Sequence, residues 1–244
     1  MIELPTQKVV SVRTNPKRIV IYSKPKAGKT TALSLLNNCL ILDFENGSDY
    51  VDALKLKVDS LSTLKDIGKE IIKANKPYKY IAVDTVTSLE EMCLSYAKQL
   101  YQNTPMGKNF DGDSVLKLPN GAGYLYLREA FFKILDYIET LVPDDGSIIL
   151  LGHLKDKLIE TNGKEVSAVD LDLSGKIKSI VCAKADAIGL LSRKGDKVFL
   201  NFKTSEEVTC GARPTHLKNK ELVLTEIVNE ELIEHWNDVF INNN

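Results

Sequence analysis

Ser23-Lys24-Pro25-Lys26-Ala27-Gly28-Lys29-Thr30-Thr31 decides how this chain reads. An apolar run, Arg18-Ile19-Val20-Ile21-Tyr22, precedes it, and a helical pattern, Thr31-Ala32-Leu33-Ser34-Leu35-Leu36, follows. Strand, loop and helix with Gly-Lys-Thr at the helix start is the arrangement a phosphate cradle requires. Backbone N–H groups of the loop are expected to face a β-phosphate. Lys29 is expected to reach the β- and γ-phosphates, and the Thr30 hydroxyl to hold Mg²⁺. Ser23 stands where such loops have their first glycine; it can turn the chain, with less freedom at positive φ.

The sequence outward from this stretch alternates short apolar runs with helical patterns. Cys39–Phe44, Tyr80–Val83 and Ser147–Gly152 read as buried strands. Leu61–Ala74, Ser88–Leu100, Tyr124–Leu141 and Ser174–Lys184 read as helices. Continuous apolar strands separated by helices imply a parallel sheet covered on both faces. Two polar stretches, Tyr101–Gly123 and His153 to about Val169, read as long loops, which in compact domains carry function or motion. Ile188–Ser192 and Lys197–Phe202 flank Arg193-Lys194-Gly195-Asp196, a hairpin signal. An amphipathic segment, Asn229–Phe240, closes the pattern. Residues 1–17 read as an N-terminal extension, and 18–244 as one α/β domain with a C-terminal β-hairpin extension.

Composition narrows the class. The 244 residues are 43% hydrophobic and 27% charged, as in an ordinary globular domain. No apolar run approaches the roughly 18 residues of a membrane span. Met1-Ile2-Glu3-Leu4-Pro5 lacks the order of a signal peptide. Cys39, Cys93, Cys182 and Cys210 lie far apart in or beside apolar runs, which reads as reduced thiols in a cytoplasmic protein. The net charge of −1 announces no nucleic-acid binder. Locally, Lys155, Lys157, Lys164, Lys176 and Lys178 crowd one segment, as a solvated face or a phosphate track.

Strand ends supply further candidates. Asp84 ends Tyr80-Ile81-Ala82-Val83 and is suited either to hold Mg²⁺ or to cap the following helix, with Thr85 or Thr87 as rival caps. Asp43 and Glu45 end Asp43-Phe44-Glu45 and point the same way by strand alternation. A carboxylate there can orient or deprotonate an attacking water, and Glu45, one residue further out, is the first choice. His153 ends Ile148-Ile149-Leu150-Leu151-Gly152 and is placed to touch a γ-phosphate. Arg213, in Cys210-Gly211-Ala212-Arg213-Pro214, is a candidate finger for a neighbouring subunit's site, with Arg193, Lys194 and Lys203 as rivals.

Together the cradle, Asp43-Phe44-Glu45, Ile81-Ala82-Val83-Asp84-Thr85 and Gly152-His153 resemble a RecA-type ATPase core. The chain is most similar to phage-encoded RecA-like ATP-binding proteins implicated in single-strand annealing and recombination. Leu171-Asp172-Leu173-Ser174-Gly175-Lys176, Ala185-Asp186-Ala187-Ile188-Gly189 and Gly211-Ala212-Arg213-Pro214 share the likeness. The resemblance covers roughly residues 18–220. It implies a RecA-like P-loop NTPase fold, ATP and Mg²⁺ as cofactors, Glu45 as water activator and His153, where relatives usually carry Gln, as γ-phosphate sensor. It also implies two loops in the DNA-binding positions, Tyr101–Gly123 and Lys155–Val169, with Tyr101, Phe110 and Tyr124 as stacking candidates or core residues. The expected activity is a DNA-stimulated ATPase acting on single-stranded DNA as a homo-oligomeric ring or filament. Expected alongside are a single-strand-binding protein as partner and a place in the cytoplasm, of a bacterial host if phage-encoded. An ATP-gated DNA scaffold without turnover and a small-molecule P-loop kinase are the alternatives.

Overall fold

The computed structural model describes residues 4, 6–161 and 164–241. The first four buried strands are β1 (Arg18–Ser23), β2 (Cys39–Asp43), β4 (Tyr80–Asp84) and β5 (Ser147–Thr161). A short strand, β3 (Lys55–Lys57), carries no apolar run to announce it. Helices α1 (Lys29–Ser34), α2 (Leu61–Lys73), α3 (Val86–Gln102), α4 (Gly123–Thr140) and α5 (Gly175–Lys184) fall where the apolar spacing puts them. Strands β6 (Lys164–Leu171), β7 (Ala187–Lys194), β8 (Lys197–Asn201), β9 (Gly211–Ala212), β10 (Glu221–Val228) and β11 (Glu231–Glu234) complete the chain.

The main path of the sheet runs β11-β10-β8-β7-β1-β5-β4-β2-β3. From β7 to β3 neighbouring strands are parallel, and the β8, β10 and β11 extension is antiparallel. This is the expected α/β architecture, with β7–β8 as the expected hairpin. The segment Asn229–Phe240 becomes β11 and a 3₁₀ turn at Trp236–Asp238.

Alternation along the strands divides the core in two. Val20, Tyr22, Leu40, Leu42, Ile81, Val83, Ile148 and Leu150 face the cluster built with buried residues of α2, α3, α4 and α5. Ile19, Ile21, Ile41, Ala82, Ile149 and Leu151 face the other way, toward α1, Leu200, Trp236 and Phe240. Both faces are covered, so the central positions of these strands are apolar without a break. Trp236 donates its indole N–H to Ala32 O at 2.7 Å, binding the last turn of the chain to α1. The N-terminal extension is anchored from Arg13 onward. Arg13 donates to the carbonyls of Asp144 and Gly146, and Ser147 Oγ donates to Pro16 O.

The second expected loop is a β-ribbon. β5 continues past the sheet through His153 to Thr161 and pairs antiparallel with β6 from Leu154↔Leu171 to Thr161↔Lys164. Its charged alternation, Lys155-Asp156-Lys157, hid the strand character. The Asn162-Gly163 dipeptide was the available signal for a hairpin. The first loop keeps its irregular form, with 3₁₀ turns at Val115–Lys117 and Pro119–Gly121. Tyr101 and Phe110 belong to the core there. Tyr101 meets Phe110 at 5.2 Å and Tyr126 at 5.1 Å between ring centroids. All four cysteines are free, with Cys39, Cys93 and Cys210 buried.

Asp170 ties the ribbon down. It is 4% exposed and accepts from Lys157 Nζ at 3.0 Å, Lys178 Nζ at 2.6 Å and its neighbour's Leu171 N–H at 2.9 Å. Burial alone would raise its pKa, but the hydrogen bonds, led by those of Lys178 and Lys157, outweigh it and hold the carboxyl below its ordinary range. A depressed carboxylate contributes stability at pH values above its unfolded pKa, about 4, and that contribution is lost as pH falls through the folded value. Asp170→Asn is therefore expected to cost about 2 kcal/mol at neutral pH, by loss of charge-assisted bonds. In urea unfolding, the gap between the two proteins should narrow as pH falls below about 4; a gap independent of pH would remove the charge from the explanation.

Candidate functional site

The cradle opens at Ser23, fully buried at the end of β1. Its hydroxyl donates to Lys24 O at 2.8 Å and accepts from Lys29 Nζ at 3.1 Å. The serine thus fills the first-glycine position with a polar group that faces the lysine. Gly28 has φ 99°, a left-handed conformation that a side chain would strain. Lys29 is 8% exposed, and burial lowers its pKa against the pull of Asp84 and Glu45. Lys24, Pro25, Lys26 and Ala27 form the intervening turn, and Thr31 follows Thr30 in the first turn of α1.

Thr30 Oγ1 donates to Asp84 Oδ2 at 2.7 Å. Asp84 is 5% exposed, and its pKa is pushed up to about 6 by burial, with the nearby charges of Glu45 and Asp43 adding to the rise and the Thr30 hydrogen bond opposing it. Thr85, not Asp84, caps α3, its side chain accepting from Ser88 N at 3.3 Å. Asp84 is thereby free for another partner. A hydroxyl and a crowded carboxyl, both hard oxygen donors, fit Mg²⁺.

Asp43 and Glu45 part company. Asp43, 1% exposed, accepts from the N–H groups of Glu45 (3.0 Å), Gly47 (3.3 Å) and Ser48 (3.0 Å) and from Ser48 Oγ (2.6 Å). It organises the turn after β2. Glu45 reaches out instead. Its Oε1 accepts from Thr85 Oγ1 at 2.6 Å and Ser88 Oγ at 3.2 Å, and lies 2.5 Å from His153 Nε2. Burial would raise the Glu45 pKa; the hydrogen bonds from Thr85, His153 and Ser88 outweigh it and keep the carboxylate ionised. One carboxylate oxygen therefore joins the ends of β2 and β4 to the middle of β5. Neither Thr85 nor Ser88 was singled out by sequence as a partner of Glu45. A Ser or Thr beside a helix start reads as a cap, and the contact with Glu45 spans some forty residues of sequence.

The structure does not bring Arg213 to the cradle. β9 pairs Ala212 with Ala187, the first residue of β7, at the opposite end of the parallel strands from Ser23. Arg213 donates to Ala183 O at 2.8 Å and pairs with Asp186 at 3.2 Å, and Asp186 in turn accepts from the N–H groups of Lys17 and Arg18. Within its own chain Arg213 clamps the start of β1. Arg193 turns to Gly195 O, and Lys194 and Lys203 lie near Glu221. The lysine run is divided too. Lys157 and Lys178 are taken up by Asp170, Lys155 lies 3.5 Å from Asp172, and Lys176 is exposed. The side chain of Lys164 lies outside the described residues.

A parallel sheet carrying this loop, hydroxyl and pair of carboxylates defines a P-loop ATPase. The AAA domain family model matches residues 15–213, and the chain belongs to that family. No curated protein sequence matches it. Among solved structures it is similar to a KaiC-like protein from the hyperthermophilic archaeon Pyrococcus horikoshii. The identity is 13% over 90% of this chain and 89% of that one, with a TM-score of 0.45. No helix of the described residues is long and apolar enough to cross a membrane.

The division between the two carboxylates can be tested directly. Asp43→Asn is expected to lower stability by about 2 kcal/mol, because a buried turn loses charge-assisted bonds. Glu45→Gln should keep fold and ATP binding and slow turnover by roughly 10²-fold or more. Thermal unfolding and steady-state hydrolysis measure the two effects, and the reverse pattern would exchange the roles.

Proposed function

We infer that this chain hydrolyses Mg-ATP at the Ser23–Thr31 cradle and couples turnover to single-stranded DNA through the β5–β6 ribbon, as a RecA-like recombination or annealing ATPase. The supporting observation is the 2.5 Å contact between His153 Nε2 and Glu45, at the point where β5 leaves the sheet and becomes the ribbon. Lys29 and the loop N–H groups bind the phosphates. Thr30 and Asp84 are the residues to hold Mg²⁺, which when bound offsets phosphate charge. Glu45 orients the attacking water and accepts its proton. Thr85, Ser88 and His153 compete for the same carboxylate oxygen, so displacing His153 changes how freely Glu45 can act. A pull on the ribbon moves His153 first, because they share one strand. The γ-phosphate-sensing role expected of His153 is retained in this form, as a contact that reports through Glu45.

The same reading includes assembly of several copies. Among the described residues no arginine of the chain reaches the cradle: Arg13, Arg18, Arg193 and Arg213 have partners elsewhere, and Arg128 lies beside Lys155. A positive finger then comes from a neighbour, as in other oligomeric NTPases. Arg213 can serve only if a second copy brings it there. A scaffold without turnover would have no use for a carboxylate held at the crevice, where Glu45 stands. A small-molecule kinase would lack a use for the ribbon.

Phosphate release with and without single-stranded DNA decides among these. Wild type should turn over faster with DNA, and Lys29→Ala should lose hydrolysis altogether because the phosphate charge is unmet. His153→Ala should retain ATP binding and lose the DNA response. A DNA response that survives intact in His153→Ala would sever the ribbon from the site. Hydrolysis surviving in Lys29→Ala would remove the cradle assignment.

A further inference from the structure

Among the described residues, Ser23 is the hydrogen-bond partner of the Lys29 ammonium. Lys29 Nζ donates to Ser23 Oγ at 3.1 Å, and both residues are buried, Ser23 completely. The contact spans the loop, from the last residue of β1 to the first of α1. The charges of Asp84 and Glu45 act on the same ammonium, yet among the described residues neither forms an ion pair with it. The serine's own proton is donated elsewhere, to Lys24 O at 2.8 Å. A hydroxyl has one proton and two lone pairs. With the proton spent on the backbone, Ser23 Oγ offers the cradle only lone pairs. It attracts a cation and repels a phosphate oxygen, so it is not itself a phosphate ligand. Its place is fixed from both sides, because β1 lies between β5 and β7, with Ser23 opposite His153 and Tyr22 opposite Leu190. Tyr22 also donates its hydroxyl to Thr209 O at 3.0 Å.

We propose that Ser23 is a positioning residue for Lys29: its oxygen holds the ammonium apart from Asp84 and Glu45 and leaves two N–H bonds for the phosphates of the nucleotide. This rests on the cradle reading above and goes beyond it in giving a role to the residue that departs from the glycine of such loops. An ammonium carries three N–H donors, and the serine takes one of them. Opposite charges in a partly buried site attract strongly. Without an acceptor on β1, the ammonium closes on the nearest carboxylate. Asp84 paired with Lys29 would then be drawn from Thr30, whose hydroxyl it now accepts at 2.7 Å. A glycine at position 23 has backbone freedom but no side-chain acceptor. The serine gives up that freedom for an oxygen that sets the direction of the charge before the phosphates meet it, which is preorganisation.

The test is equilibrium binding of a ribose-labelled fluorescent ADP to the full chain, alongside KM and kcat for ATP. Ser23→Ala and Ser23→Gly should each weaken ADP binding and raise KM by about tenfold, the loss of one hydrogen bond to a charged group. Turnover at saturating ATP should stay within about threefold, since the contact serves binding and not the chemical step. Ser23→Thr keeps the hydroxyl and should bind ADP much as wild type does. The glycine variant, carrying the ordinary residue of such loops, guards against a misfolded alanine variant. In a Lys29→Ala background, Ser23→Ala should weaken binding no further, because the serine then has no ammonium to hold. Binding by Ser23→Gly as tight as wild type would make the serine a turn residue only. Losses that multiply in the double variant would make its effect independent of Lys29, and a fall in kcat with affinity unchanged would take it out of binding altogether. Each of these overturns the proposal and leaves the cradle in place. ADP binding undiminished in Lys29→Ala alone would overturn the cradle and this proposal together.

Discussion

The register of four parallel strands is the constraint on which the rest of the structure depends. Ser23 lies opposite His153, Leu151 opposite Asp84, and Asp84 opposite Asp43. β4 and β5 are inserted between β1 and β2, so the strand that bears the cradle is not next to the strand that follows it in sequence. The ends of all four strands open into one crevice, where ligands of open parallel sheets bind. A slip by one residue would turn each of these side chains into the apolar core. Burial on both faces forbids that slip, because Val20, Ile41, Ala82 and Leu150 are fully buried.

Electrostatics at the crevice separate three carboxylates that differ little in sequence. Asp43 and Glu45 are held below the ordinary range by hydrogen-bond donors, four to Asp43 and three around Glu45. Asp84 has one hydroxyl donor and deeper burial, and its pKa rises. Three carboxylates beside one ammonium leave negative charge in excess, a surplus that a divalent cation is suited to offset. The buried lysine carries the opposite strain, being depressed by burial in spite of these neighbours.

Two polar joints tie distant parts of the chain together. One is Glu45 with Thr85, Ser88 and His153, which joins β2, β4 and β5 at the crevice. The other is Asp170 with Lys157 and Lys178, which fixes the ribbon to α5. Between them β5 runs unbroken, so the ribbon's root and His153, which meets the candidate water-activating residue Glu45, share one strand. Tyr22, the residue before Ser23, adds a cross-link by donating to Thr209 O at 3.0 Å, two residues before β9.

Local sequence determined the cradle, the helices with apolar stripes and the strands buried on both faces. Each leaves its mark within a few residues, as a glycine needing positive φ or a period of 3.6 or unbroken apolarity. It also placed Lys29, Thr30, Asp84, Glu45 and His153 at strand and helix ends, which is where chemistry gathers in such sheets. Only the tertiary structure decided that Asp43 braces a turn while Glu45 meets His153, since two carboxylates one residue apart have the same local pattern. Only it separated Lys157 and Lys178, neutralised by a buried aspartate, from Lys176 and Arg128, which make no ion pair among the described residues. It turned a polar loop into a ribbon, because pairing with a distant strand, and not apolar content, satisfied that backbone. It set Arg213 at the opposite end of the strands from the cradle. Charge pairing and strand pairing join residues far apart along the chain, and no window of local sequence contains both partners.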